Sequence, residues 1–384
     1  MAASRRTGVA SLPLHTGRAP PWLFGRMVRL ARAILAHLVA EHGPEEVLRR
    51  LSDPFWFQAL GCVLGFDWHS SGVTTTVCGA LKEAVRGREA DFGLYVAGGK
   101  GGTSRKTPGE ITAVCDALSL EPEPLVSASR LAAKVDSTAV QDGHQLYHHT
   151  FVFTPGGSWC VVQQGMSDLT RTARRYHWLS EGLASFVDEP HAAVCCDVRG
   201  AGLNMAASES APARDAVTEL AAQLPHELLS LFERVPSLFM PRRHPVALAD
   251  VDPGRLHKVL LRTYERPPED FAALLGTPGL GPKSLRALAL TAEVIYGTRV
   301  STRDPARFAF AHGGKDGTPY PVDRAAYEVT IDVLDRALCR ARLDRSERIS
   351  ALKRLAAFAR QPGAADDARP VAPAAQRDLS AIGP

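Results

Sequence analysis

The sequence has few cysteines, little net charge and no long apolar run, and each shortage excludes a class of protein. Its seven cysteines form no C-x-x-C pair, which argues against a disulfide framework or a zinc ribbon and predicts a reducing, cytoplasmic setting. A net charge of +4 over 384 residues excludes a histone-like polycation. The most apolar stretch, residues 30–40, is interrupted by Arg32 and His37 and is shorter than the roughly 18 residues of a membrane span. We therefore expect a soluble protein.

Three catalytic signatures are also missing. The chain has no G-x-S-x-G and no H-E-x-x-H motif, and its glycine-rich segment at residues 98–102 does not match G-x-x-x-x-G-K-[ST]. These absences weaken the serine hydrolase, zinc protease and nucleotide-triphosphatase interpretations.

The pattern of apolar residues predicts two domains. An N-terminal α+β or α/β domain is expected over residues 1–205, and a mainly α-helical domain over residues 206–360. The tail at residues 361–384, which is rich in alanine and proline, is expected to be disordered. Residues 1–36 carry six arginines and no acidic residue, and we expect them to belong to the mature protein rather than to a cleaved transit peptide.

Within the first domain, the clearest β signal is a hairpin. It consists of LYHHTFVF and SWCVVQQGM, joined by Thr154-Pro155-Gly156-Gly157. Further elements are expected from periodicity and composition: helices at residues 20–50, 74–85 and 172–186, and strands at residues 92–97 and 192–198.

The segment Gly279-Leu280-Gly281-Pro282-Lys283 joins two apolar helical patterns. The glycines permit a tight turn and the close approach of a phosphate, and Pro282 suits the first position of the second helix. Backbone N–H groups at that helix start, together with Lys283, would face an anion. Residues 268–297 resemble the helix-hairpin-helix motif of DNA-binding proteins, which implies a DNA partner bound through its backbone phosphates without sequence preference. The DNA-binding residues predicted here are Gly279, Leu280, Gly281, Lys283 and Arg286. A plain loop between two core helices stays open as the alternative.

Polar residues in the first domain suggest a metal-dependent phosphodiesterase, that is, a nuclease. Asp67 and Asp136 are the predicted ligands of Mg²⁺ or Mn²⁺. Lys134 would stabilise the charge of the transition state, with His69 or His148 as an additional ligand or base. For each of these residues taken alone, a structural role as a helix cap, turn former or surface charge is favoured over the catalytic one.

A second group of residues is suggested by the glycine-rich segment, where Lys100 and Lys106 could hold a phosphate. Since His148 and His149 are adjacent on a predicted strand, we expect them on opposite faces, so at most one of them binds a given ion. Cys195 and Cys196 should separate in the same way, both as buried apolar side chains.

Several longer motifs extend the comparison beyond the turn. They are TGVASLPLHTGRAPPWLFGRM, LGFDWHSSGVTTT, FGLYVAGGKGG, KVDSTAVQDGHQLYHHTFVF, WCVVQQGM and FAHGGKDGTPYPVDR. Together they resemble a prokaryotic family catalogued as domain of unknown function 763, over nearly the whole chain. The resemblance implies a helix-hairpin-helix and no particular reaction.

The expected function is DNA binding in repair or processing, with nuclease activity in the first domain. Two alternatives stay open. In helix-hairpin-helix glycosylases the lysine of the turn is a Schiff-base nucleophile and a later aspartate supports the sugar cation, and here these positions match Lys283 and Asp323, 40 residues apart. The other alternative is a noncatalytic DNA-binding accessory protein.

Overall fold

The centre of the molecule is a five-stranded antiparallel sheet. The computed structural model describes residues 19–65, 72–169, 172–196, 202–234, 253–306, 324–341 and 343–359. The strand order is β1-β3-β4-β5-β6, and a separate pair is formed by β2 and β7. The strands are β1 (Tyr95–Lys100), β2 (Val140–Gln141), β3 (Gln145–Phe153), β4 (Trp159–Ser167), β5 (Thr172–Leu179), β6 (Ala193–Cys196) and β7 (Leu203–Asn204). Because every pairing is antiparallel, the fold is α+β rather than α/β.

Helices surround the sheet. They are α1 (Pro21–His42), α2 (Pro44–Ser52), α3 (Pro54–Leu64), α4 (Gly72–Val85), α5 (Glu89–Phe92), α6 (Thr107–Leu118), α7 (Glu123–Lys134), α8 (Ala211–Ala221), α9 (Pro225–Arg234), α10 (Pro253–Glu265), α11 (Phe271–Gly276), α12 (Pro282–Tyr296), α13 (Arg324–Arg340) and α14 (Arg345–Ala359). A π-helical turn, Val135–Ala139, continues α7 into β2. None of the described helices is both long and apolar enough to cross a membrane.

Each face of the sheet carries its own hydrophobic core. On the face that we call the α7 side, Phe151 and Trp178 pack with α6, α7 and helices α8 to α12. On the opposite face, the α4 side, Val152 and Val162 pack with α1 to α4 and with α13 and α14. Helices that follow the predicted boundary at residue 205 therefore contribute to both cores, and they cover the two faces of the same sheet.

The predicted hairpin is confirmed. Strands β3 and β4 pair from Gln145–Met166 to Phe153–Trp159. The turn closes through a hydrogen bond from the Thr154 N–H to the Ser158 carbonyl at 2.9 Å. Gly157 has a φ of +86°, a conformation that glycine adopts without steric cost.

The predicted helix at residues 172–186 is wrong, because residues 172–179 form β5 and residues 180–186 are turn and irregular structure. Its arginines caused the error, since arginine is rarely buried and the segment has no alternation of polar and apolar residues. In the structure Arg174 and Arg175 are both buried on opposite faces of the sheet. Arg174 donates to Asp142 and Asp304, and Arg175 donates to His177 and lies over the Phe57 ring. Partners distant in sequence thus make a strand of arginines stable.

The glycine-rich segment is more regular than a loop. Strand β1 begins later than predicted and continues to Lys100, and residues 101–106 form a 3₁₀ helix. Gly98 has a φ of +88°, and a Cβ there would lie 2.2 Å from the His149 carbonyl oxygen. The glycine is required because β1 approaches β3 closely at this point.

Candidate functional site

The turn between α11 and α12 is built from local signals. Asp270 begins α11 by accepting a hydrogen bond from the Ala273 N–H at 2.7 Å, as an N-cap residue does. The Leu280 N–H donates to the Thr277 carbonyl at 3.1 Å. Gly279 has a φ of +95°, and Pro282 occupies the start of α12. The result is a five-residue turn, residues 277–281, between two helices.

The inner side of this turn is fixed to the rest of the protein. Leu280 is fully buried in the core on the α7 side. Two cationic side chains donate hydrogen bonds to carbonyl oxygens of the turn. Lys134 Nζ donates to the Leu280 carbonyl at 2.6 Å, and Arg262 donates to the Pro278 carbonyl at 2.5 Å. Burial lowers the pKa of Lys134, because desolvation disfavours the ammonium. The predicted catalytic Lys134 thus positions the turn.

The outer side of the turn presents donors. Among the described residues, the backbone N–H groups of Gly279, Gly281 and Lys283 have no hydrogen-bond acceptor. The Lys283 N–H belongs to the first turn of α12, where the helix dipole is positive. Since the carbonyls of Pro278 and Leu280 are occupied, this surface offers an anion several donors and little competing negative charge.

Cationic side chains extend this surface along α10. The exposed residues Arg255, Lys258 and Arg262 lie within one stripe of α10, the exposed Arg266 directly follows the helix, and Lys283 is exposed at the start of α12. A Cβ added to Gly279 would lie 3.4 Å from Val259 and 3.5 Å from Arg262, which places the α10 stripe beside the turn. By contrast, the predicted Arg286 donates to Gln141 at 2.7 Å. Arg286 therefore joins α12 to β2.

Asp136 lies in a closed polar network. Its carboxylate accepts hydrogen bonds from Gln163 at 2.6 Å and from the Trp178 indole at 2.9 Å, and it contacts His191 Nε2 at 2.5 Å. Burial raises the pKa of Asp136, against the opposing effect of His191. The network continues from Gln163 to His149, and from His149 to Ser129 of α7. This arrangement joins three strands and α7 through buried hydrogen bonds.

The structure places His148 on the opposite side of the sheet from Asp136. His148 and His149 lie on opposite faces of β3, as predicted, and Asp136 contacts the face of His149. His148 lies on the α4 side, where its Nε2 is 2.9 Å from the Thr150 hydroxyl. Lys100 is its partner across the β1–β3 pair, whereas Lys106 is exposed in the 3₁₀ helix. Of these residues, only Lys100 and His148 are brought together.

Three predicted site residues, Asp67, His69 and Asp323, lie outside the described residues, as does the predicted disordered tail at residues 361–384. A joint metal site of Asp67 and Asp136 therefore stays a prediction. In the described parts of the chain, no group of three or more histidine, cysteine, aspartate or glutamate side chains is placed to hold a metal ion. The two adjacent cysteines do separate as predicted: both are buried, with Cys195 opposite Arg175 and Cys196 opposite Arg174.

One polar cluster carries no signal in the sequence. Asp142 accepts hydrogen bonds from Arg174 and Tyr176, each at 2.7 Å, and lies 3.4 Å from the ring of His144. Burial alone would raise the pKa of Asp142, but the hydrogen bond to His144 and the charge of Arg174 lower it to about 2. Arg174 also binds Asp304, 130 residues away. Only the folded chain brings these residues together.

Comparison with known proteins gives a family and no described activity. No curated protein and no solved structure matches the chain. One family model matches residues 8–322, which is most of the sequence. The chain therefore belongs to the family described as protein of unknown function (DUF763).

Proposed function

We propose that this protein binds nucleic acid, with duplex DNA as its partner, by placing the outer side of the α11–α12 turn against a backbone phosphate. The observation that carries the proposal is the set of free amide donors at Gly279, Gly281 and Lys283. Amides that point away from the protein at a helix start bind phosphate oxygens, and they do so without reading the bases.

The basic stripe of α10 supports the same partner. Its three cations, with Arg266 directly after the helix, extend the positive surface beyond the length of one phosphate, so a polymer of phosphates suits it better than a single anion. Arg262 has a double role, since one guanidinium nitrogen already donates to Pro278. We infer that this contact keeps the turn beside the stripe in the orientation that a DNA backbone requires.

Fluorescence anisotropy with a labelled duplex tests the proposal. The affinity should fall steeply with salt concentration, because each neutralised phosphate releases counterions, and it should depend weakly on sequence. Lys283→Ala should weaken binding by roughly fivefold, whereas Lys283→Arg should retain most of the affinity because the contact needs only a cation. Lys106→Ala, an exposed lysine in a different part of the fold, is the matched control. Equal loss in the control, or no loss in Lys283→Ala, would count against the assignment.

DNA that contains an abasic site distinguishes phosphate binding from the lyase alternative. A Schiff-base lysine needs desolvation or a neighbouring cation to lose its proton, and Lys283 is exposed. Incubation with abasic-site DNA and borohydride should therefore trap no adduct. A covalent adduct that disappears in Lys283→Arg would favour the lyase over the phosphate contact.

A further inference from the structure

A second site of a different kind lies on the α4 side of the sheet. A cleft of about 690 Å³ opens between α1, α4 and the ends of β1 and β3. Such a volume is within the range of pockets that hold small organic ligands. Its lining includes Lys82, Lys100, His148, Thr150 and the ring of Phe24. The turn between α11 and α12 packs on the α7 side, so the cleft is separated from it by the sheet.

The cleft contains a buried nitrogen that lacks a partner. His148 is 1% exposed, and its Nε2 contacts the Thr150 hydroxyl. Its Nδ1 has no hydrogen-bond partner within the described structure. A buried polar atom left without a partner costs about 1–3 kcal/mol. Burial lowers the pKa of His148 to about 3, and the charges of His149 and Lys100 act in the same direction. The imidazole is therefore neutral at pH 7, and a ligand could supply its missing hydrogen bond.

Lys100 is the available cation of the cleft. It is exposed, and it lies opposite His148 in the β1–β3 register. Two other cations line the cleft, but both are paired: Lys82 with Glu110 at 2.6 Å, and Arg86 with Glu83 at 2.9 Å. Lys100 makes no ion pair with any described carboxylate, and its Nζ is 5.9 Å from the centre of the Tyr147 ring. In the tautomer with the proton on Nδ1, Nε2 accepts from the Thr150 hydroxyl, and the Nδ1–H donor beside the Lys100 ammonium suits an anion.

We propose that this cleft binds a small phosphorylated organic molecule, with the phosphate between Lys100 and His148. Among the described residues of the lining, Lys82 is balanced by Glu110 and Arg86 by Glu83, so Lys100 leaves the cleft with one unbalanced positive charge. The cleft is much larger than a phosphate ion, and the Phe24 ring provides an apolar wall for the organic part of the ligand. Thr76 and Thr103 also line it.

Calorimetry on the full chain tests this site. The probes are adenosine 5′-monophosphate, ribose 5-phosphate and glucose 6-phosphate, each compared with its dephosphorylated form. At least one phosphate should bind about tenfold more tightly than its dephosphorylated counterpart, a difference of about 1.4 kcal/mol. Lys100→Gln should weaken that binding by about tenfold. Lys353→Gln, which changes an exposed lysine of α14 outside the cleft, should leave it unchanged.

The pKa of His148, measured by NMR with and without ligand, gives a second readout. It would not change on ligand addition if Lys100 had only a structural role. A bound phosphate should raise the pKa of His148, because a nearby anion favours the imidazolium. The signal is assigned by its loss in His148→Gln, and the calorimetry does not depend on the folding of that variant. The proposal is overturned if none of the three phosphates binds below about 5 mM, or if Lys100→Gln binds as tightly as the unmodified chain. Failure here would leave DNA binding by the turn unaffected.

Discussion

The α11–α12 turn and the surroundings of Asp136 are both rich in polar groups. They differ in whether these groups find their hydrogen-bond partners within the chain. Asp136 is fully buried, and Gln163, Trp178 and His191 of the same chain complete its contacts. At the turn, Lys134 and Arg262 occupy the carbonyls of Leu280 and Pro278, while the amides of Gly279, Gly281 and Lys283 have no acceptor in the described part of the chain. Bonds completed inside the chain stabilise the fold, and donors left open at a surface are available to a partner.

The largest expected effect comes from a substitution in the buried hydrogen-bond network of Asp136. Asp136→Asn keeps the shape but turns one acceptor oxygen into a donor that faces the groups now donating to it. We expect the free energy of unfolding to fall by about 3 kcal/mol, measured by urea denaturation. The matched control is Asp116→Asn, an exposed aspartate of α6, which should change it by less than about 0.5 kcal/mol. Equal urea midpoints for the two variants would show that the Asp136 network contributes little. DNA affinity should be unchanged in both.

The difference between the two regions also explains what the sequence can predict. The local signals of the turn lie close together in the sequence: the Asp270 cap, Gly279 and Pro282. Lys134 and Arg262 then hold the turn in place. Asp136, in contrast, obtains its partners 27, 42 and 55 residues further along the chain, so its burial has no local signal. Its predicted role as a metal ligand came from its residue type alone.

The sheet shows the same contrast. The β3–β4 hairpin was predictable because its turn residues and β-branched runs are contiguous. Strand β5 was not, because Arg174 and Arg175 are typical of a solvated helix until Asp142, Asp304 and His177 surround them. The hairpin left the choice between α+β and α/β open, and only the long-range strand pairings show an antiparallel five-stranded sheet between two helical layers.

A smaller effect concerns the pH dependence of stability. Burial would lower the pKa of His144, but the hydrogen bond and charge of Asp142 outweigh it and raise the pKa to about 9. This folded-state value lies above the unfolded value of about 6.5, so the stabilisation is fully present below pH 6.5 and is lost as the pH rises towards 9. We expect His144 to contribute about 2 kcal/mol at pH 6 and much less at pH 9.

The measurement compares unfolding of the unmodified chain and His144→Gln at both pH values. The stability difference between them should shrink as the pH rises. A difference that is constant from pH 6 to 9 would contradict the ion pair between His144 and Asp142, because glutamine does not titrate.

The smallest expected effect on stability is the difference between alanine substitutions at the two glycines of the turn. Gly279→Ala places a side chain at a φ of +95° and should lower the free energy of unfolding by about 1 kcal/mol. Gly281 has a φ of −128°, and nothing lies within 4 Å of a Cβ added there. Gly281→Ala should therefore change stability by less than about 0.5 kcal/mol. Thermal unfolding of both variants checks the difference, and a larger loss for Gly281→Ala would contradict the geometry of the turn.

The DNA affinity of Gly281→Val tests the account most directly. The valine fits the fold because the space around it is open, yet it occupies the position where a phosphate must approach the free amides. Gly109→Val, at an exposed glycine of α6 that also has no atom within 4 Å of an added Cβ, is the matched control. We expect duplex binding to weaken at least tenfold, about 1.4 kcal/mol, in Gly281→Val and to be unchanged in Gly109→Val. A folded Gly281→Val protein that binds the duplex as tightly as the unmodified chain would contradict phosphate binding by this turn.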